Sequence, residues 1–254
     1  MNDDSNSIAA DPQIRVLITR PIHQTRHFEA LLREAGLQPV SLPTIEIEYV
    51  RTSTELALNS QLIIFTSVNS VNGAHENQPL PWKFRGRIAA IGDATKNALS
   101  ALNTKVDLVP AGSASSEALL SIVNEPPGSI VTIVRGDRGR EKLYRELIDQ
   151  GLTVQYLEVY KRKLPGYSDA AVNQLLSKST PHIVSVTSDL GLENLLEIVP
   201  KAYRAPLFAC PLVVNSHRCA GIAKARGFSN TIVVADPPGD LAQVSEISRL
   251  AQTL

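Results

Sequence analysis

The chain carries one plan twice. Val16 to Glu48 reads VLITRPIHQTRHFEALLREAGLQPVSLPTIEIE, and Val131 to Arg162 reads VTIVRGDRGREKLYRELIDQGLTVQYLEVYKR. Arg20 aligns with Arg135 and Gly36 with Gly151, each pair 115 residues apart. Both copies run from a β-branched strand to an arginine, then through a helix-length segment to a glycine stop and a second apolar strand. A strand–helix–strand unit used twice commits the chain to parallel sheet, because parallel neighbours need a crossover of about a dozen residues between them. Phe28, Leu31, Leu32 and Ala35 form an i, i+3, i+4, i+7 stripe, and Leu143, Leu147 and Ile148 a looser one. Each predicts a helix with one face on a sheet.

Two more segments pair in the same way. LIIFTSVNSV from Leu62 matches IVSVTSDLGL from Ile183, placing Ser67 against Ser188. IAAIGDATKNALSAL from Ile88 matches LVVNSHRCAGIAKAR from Leu212, and these are followed by VDLVP and TIVVADP. Short Val/Ile runs, polar turns and helix-length segments are the pattern of parallel sheets covered on both faces. Ten or so strands are too many for one sheet here, so two α/β sheets of about five strands are expected. The alternating segments around Thr44 to Val50 and Glu158 to Leu164 predict a two-stranded connector. The repeat alone would divide the chain near Pro126, into two contiguous halves.

Composition narrows the function. Of 254 residues 43% are hydrophobic and 20% charged, which suits a globular protein with room for two modest cores. Lys+Arg 25 against Asp+Glu 25 gives zero formal charge, without the basic footprint of a generic nucleic-acid or membrane-surface binder. No apolar run approaches the roughly 18 residues that cross a bilayer. Met1 to Gln13 is acidic and polar where a signal peptide would be basic and then apolar, so a cytoplasmic protein is expected. Cys210 and Cys219 read as reduced packing residues. His23 and His27 stand at i, i+4, but no third ligand is suggested and no metal is expected. Neither a Walker A loop nor GxGxxG occurs. Arg135-Gly136-Asp137 spells an adhesion tripeptide that a strand-end loop makes accidental.

In open parallel sheets ligands bind beyond the C-terminal strand ends, where helix N-termini offer free N–H groups and partial positive charge. The polar turns there are Thr19-Arg20-Pro21, Thr66 to Asn69, Gly92 to Thr95, Arg135 to Arg140, Thr187 to Asp189 and Asn215 to Arg218. Taken singly, their Ser, Thr and Asn residues are helix N-caps worth about 1 kcal/mol each. Gathered at two facing sheet ends, they would form a cleft for a polyanion carrying carboxylates or phosphates. Arg20, Arg135, Arg138 and Arg140 are candidate bidentate carboxylate binders, although Arg138 and Arg140 read equally well as solvated charges beside Gly136 and Gly139. Thr95 either caps a helix or faces the cleft. Alternation places Tyr160 and Arg162 on one face of the connector, where Tyr160 is a packing residue or a weak acid.

At this point a family resemblance enters. Thr19-Arg20-Pro21, FTS, IGDAT, VRGDRGR, LEVYKR, VTSDLGLENLLEIVPKAYR and LVVNSHRCAGIAKARGF occur in an order that resembles the proteobacterial uroporphyrinogen-III synthase family, over nearly the whole chain after Gln13. The resemblance implies two flavodoxin-like α/β domains joined by a two-stranded β linker that the chain crosses twice. One domain would combine residues 1–43 with 165–254 and the other span 50–158, with 44–49 and 159–164 as linker strands. It implies closure of hydroxymethylbilane, a linear tetrapyrrole with eight carboxylates, to uroporphyrinogen III, with loss of water and inversion of ring D through a spiro intermediate. No cofactor is implied, because pyrrole electrons carry the reaction.

Matched to the family's motifs, Ser67, Thr95 and Ser188 would lie at the cleft, and Tyr160 would be the linker tyrosine proposed to help hydroxide depart. An ordinary phenol, with a pKa near 10, is a protonated donor at neutral pH. The sequence departs from the commoner pattern at Ser216 to Ala220: Ser216 stands where relatives have glycine, and Cys219 where they have threonine. Ser216 is a modest binding candidate, and Cys219 is given no role. A monomer is expected, with hydroxymethylbilane synthase as a transient neighbour. The rival readings are a two-lobed binding protein that closes on an acidic metabolite and a sugar-phosphate enzyme; the missing glycine-rich loop weakens the second.

Overall fold

Why the duplicated segment makes a strand, a helix and a strand is visible at its ends. The computed structural model describes residues 13–112, 115–137 and 141–254. Val, Leu and Ile of strand β1 (Arg15–Ile18) are buried on both faces, as a central parallel strand requires. Helix α1 (Thr25–Glu34) buries Phe28 and Leu32 and stops at Gly36, whose φ of +76° is open to glycine. The Leu37 amide then closes the helix on the Leu32 carbonyl at 2.9 Å, and β2 (Gln38–Ser41) follows.

The chain continues through β3 (Glu46–Tyr49), α2 (Glu55–Leu58), β4 (Leu62–Phe65), α3 (Val68–Asn77), β5 (Arg87–Ala90), α4 (Asp93–Ala101) and α5 (Ser116–Leu120). The second copy of the repeat is β6 (Ile130–Gly136), α6 (Lys142–Asp149) and β7 (Thr153–Lys163), with Gly151 at φ +81° in the place of Gly36. Then come α7 (Asp169–Lys178), β8 (Ile183–Val186), α8 (Asp189–Ile198), α9 (Lys201–Phe208), β9 (Leu212–Val214), α10 (His217–Arg226), β10 (Ile232–Val234) and α11 (Asp240–Ala251). Two members of the expected apolar stripes face solvent. Ala35 falls outside α1, and Ile148 is 41% exposed because it lies five residues from Leu143, off the i, i+4 line of Leu143 and Leu147.

Two five-stranded sheets result, in the orders β10-β9-β8-β1-β2 and β3-β7-β6-β4-β5. The chain divides into two compact units, residues 1–46 with 164–254 and residues 47–163. The division near Pro126 suggested by the bare repeat is not adopted. β1 pairs in parallel with β2 and β8, whereas β4 pairs in parallel with β5 and β6, so each strand–helix–strand copy joins strands from the other half of the repeat.

Counted within its own unit, the first sheet has the flavodoxin order 2-1-3-4-5. The second repeats it from β6, as β7-β6-β4-β5, with Leu108 bridged in parallel to Ala89 in the fifth place and β3 added beyond β7. In the first unit, Leu17, Val184 and Val214 pack under α7, α8 and α10, while Val16, Ile18 and Val213 pack under α1 and α11. In the second, Ile63, Phe65 and Val134 face α3 and α4, and Leu62, Ile64 and Ile133 face α5 and α6. Among the described residues no helix is long and apolar enough to cross a membrane.

Candidate functional site

Reversal of strand order marks one place in each sheet. It lies between β1 and β8 in the first unit and between β6 and β4 in the second. There, connections leave to opposite faces and open a crevice beyond the strand ends. Arg20 and Ser188 follow β1 and β8, while Arg135 ends β6 and Ser67 follows β4. Topology thus brings one arginine and one N-cap serine to each switch point. Ser216 and Thr95 lie one strand further out, at the starts of α10 and α4.

The serines cap their helices. Oγ of Ser67, Ser188 and Ser216 accepts the amide of the third helical residue at 3.1 Å in every case. Ser67 completes a capping box, since its own amide donates to Ser70 Oγ at 3.1 Å. Thr95 and Cys219 occupy the same third helical position, 3% and 1% exposed. Burial pushes the Cys219 thiol up to about 12, with Asp189 adding to the rise, so it is a packing residue and no nucleophile. Burial likewise holds the Cys210 thiol up at about 11.

Both repeat arginines are buried and paired within their own units. Arg20 lies over the Phe28 ring, 3.8 Å from its centroid, and is bound by Asp240 and by Gln243 Oε1, the latter at 3.2 Å. Gln243, fully buried, accepts from Ser185 Oγ at 2.6 Å and donates to Asn215 Oδ1 at 2.8 Å. Arg135 lies over Tyr156 at 4.3 Å and donates to Glu141 Oε1 at 3.1 Å and to the Gly136 carbonyl at 3.0 Å. Glu141 also accepts from Tyr156 at 2.6 Å; that bond and the Arg135 charge hold its carboxyl below the usual range, and burial with Glu141 pushes the Tyr156 phenol up. Neither guanidinium is the free fork that its position in sequence suggested. Arg138 and Arg140 lie outside the described residues.

Tyr160 owes its place to an irregularity. β7 pairs Glu158 with Arg135 but Tyr160 with Gly136, so Val159 is an extra residue and alternation breaks there. Val159 and Tyr160 are consequently both buried, 0% and 2% exposed. Gly136 is what admits the ring: a Cβ there would meet Tyr160 Cε2 and Cζ at 2.6 Å. Tyr160 Oη lies 3.2 Å from Ser67 Oγ and accepts a hydrogen bond from Arg162 at 2.9 Å. A pocket of about 340 Å³ opens beside these groups, lined by Thr66, Ser116, Arg135, Tyr156, Tyr160 and Arg162 among others. Sequence reasoning missed Asp240 and Gln243, which look like ordinary polar positions of a terminal helix.

These features define a class: a protein of two α/β units with flavodoxin-type strand order, whose helix starts and buried arginines gather at the switch points. Among the described residues no cluster of His, Cys, Asp or Glu is arranged to hold a metal. Comparison then names the family. The model of "Uroporphyrinogen-III synthase HemD" matches residues 26–240. The uroporphyrinogen-III synthase of Salmonella typhimurium is 30% identical over 233 residues, covering 87% of this chain and 94% of that one; the Escherichia coli K12 enzyme is 29% identical over the same extent. Two solved structures share the fold. The uroporphyrinogen-III synthetase of Helicobacter pylori has TM-score 0.68 and 16% identity, covering 94% of this chain and 100% of that one. A mutant uroporphyrinogen III synthase of Thermus thermophilus has TM-score 0.58 and 19% identity, covering 95% and 100%. The chain belongs to the uroporphyrinogen-III synthase HemD family, enzymes of tetrapyrrole biosynthesis.

Proposed function

We propose that this enzyme cyclises hydroxymethylbilane to uroporphyrinogen III, losing water and inverting ring D through a spiro intermediate. The observation that carries this reading is the family match over residues 26–240. The helix starts after Ser67, Gly92, Ser188 and Ser216 support it, since each leaves unpaired amides suited to a carboxylate. Thr95 lies in one of those first turns and Ser216 caps another, so both remain binding candidates with Ser67 and Ser188. Arg20 and Arg135 contribute by tying the C-terminal ends of β1 and β6 to Asp240 and Glu141. Holding a flexible chain with its ends in one orientation is then the main task. A hundredfold preference between two ring closures needs only about 2.7 kcal/mol between transition states.

In this reading Tyr160 is the acid that helps hydroxide leave. Ser67 Oγ already accepts an amide proton, so its hydroxyl can donate to Tyr160 Oη, leaving the phenolic proton for the substrate. The test is to add freshly made hydroxymethylbilane and resolve type I from type III uroporphyrinogen by chromatography after oxidation. The wild type is expected to give type III, and spontaneous isomer proportions would end the proposal. Tyr160→Phe is expected to lower turnover about a hundredfold. Full turnover with an unchanged product ratio would remove the acid role.

A further inference from the structure

Two residues beyond Tyr160 on β7, past the irregularity at Val159, Arg162 emerges from the same face of the strand. Its guanidinium donates to Tyr160 Oη at 2.9 Å, and its central carbon lies 5.2 Å from the centre of the phenol ring. Of the other cations around this pocket, Arg135 is engaged by Glu141 and by the Gly136 carbonyl. Arg162 is the described cation seen bonded to the phenolic oxygen.

We propose that Arg162 is a positioning residue for the reaction, one that fixes the direction of the Tyr160 hydroxyl and stabilises the phenolate left when its proton is given up. The inference rests on the reading of Tyr160 as an acid. The Tyr160 Oη–H bond breaks and its proton passes to the hydroxymethyl oxygen of the substrate. The C–O bond breaks with its electron pair leaving on water, and the pyrrole nitrogen lone pair moves in to form the azafulvenium cation. The phenolate stays beside the guanidinium and takes back a proton when the last pyrrole loses its ring proton to regain aromaticity. An anion forming 2.9 Å from a fixed cation, on a ring 2% exposed, is stabilised far more than it would be in water. Ser67, locked by its capping box, lies 3.2 Å from the same oxygen and can give it a second hydrogen bond.

The experiment compares Arg162→Met, Arg162→Lys, Tyr160→Phe and the double variant Arg162→Met/Tyr160→Phe in the full-length protein, by steady-state turnover of hydroxymethylbilane with quantified isomers. Arg162→Met is expected to lower kcat about 30-fold with KM within about twofold, and Arg162→Lys to recover most of the loss by restoring a cation. In the Tyr160→Phe background, Arg162→Met is expected to change kcat by less than about twofold, because no phenolate remains to stabilise. An Arg162→Met loss of the same size in both backgrounds, a loss confined to KM, or no recovery by lysine overturns the inference while leaving the acid role of Tyr160 standing. Full activity of Tyr160→Phe overturns both.

Discussion

At the scale of single residues, the least conspicuous position in the second unit is the most restrictive. Gly136 has no side chain because the Tyr160 ring occupies the space, with two ring carbons 2.6 Å from where a Cβ would stand. Gly136→Ala must displace that ring, which is packed against neighbours that give little. The expected result is a loss of about 1–3 kcal/mol in stability and a fall in turnover approaching that of Tyr160→Phe, checked by urea unfolding and by the isomer assay. His182 makes a second case. Its ring nitrogens face two donors, the Arg15 amide at 3.1 Å and the Arg15 guanidinium at 3.1 Å, and burial together with that charge holds its pKa below the usual 6.5. A base whose folded pKa is depressed is protonated first in the unfolded chain. The contribution of this ring to stability is therefore constant above about pH 6.5 and falls as pH drops from there toward the lowered folded value. Urea midpoints measured between pH 7 and 5 are expected to show this decline, and His182→Asn, which keeps an acceptor without a titrating ring, to flatten it.

At the scale of elements, the helix that ends the chain decides how the first unit's switch point is built. α11 turns Asp240 and Gln243 toward sheet ends that come from three separate places in the sequence. Gln243 holds Arg20 after β1, Ser185 in β8 and Asn215 before α10. Gln243→Leu keeps the volume and leaves these three groups short of a partner in a buried setting. It is expected to cost on the order of 3 kcal/mol, read as a lower urea midpoint. The second unit solves the same problem with different parts, since Arg135 is held by Glu141 and by Tyr156 of β7. The equivalence of Arg20 and Arg135 was legible from the repeat. Their partners were not, because a carboxylate or amide on a distant helix carries no local signal, and the guanidiniums proved buried and paired where the sequence suggested open forks.

At the scale of the whole molecule, the chain order decides which pieces can stand alone. Residues 47–163 hold all of β4 to β7 and nearly all of β3, so the second sheet is complete within one continuous stretch. The first sheet is not: β1 lies between β2 and β8, with residues 1–46 supplying two strands and residues 164–254 the other three. A fragment of residues 47–163 is expected to unfold cooperatively in urea. Residues 164–254 alone are expected not to, because removing β1 and α1 strips Val16, Ile18, Phe28 and Leu32 from a buried face. Circular dichroism and denaturant titration of the two fragments check this.

The amino-acid sequence alone determined the local grammar. Val/Ile runs buried on both faces made parallel strands, Gly36 and Gly151 stopped the repeat helices at positive φ, and Ser67, Ser188 and Ser216 capped the helices that follow. These outcomes depend on backbone sterics and on hydrogen bonds between near neighbours, which a short stretch specifies completely. Tertiary structure decided which copy of the repeat joins which sheet, where β7 gains its extra residue, and which distant groups hold Arg20. Each of those choices is settled by contacts between segments 23 to more than 200 residues apart, and no local pattern records them.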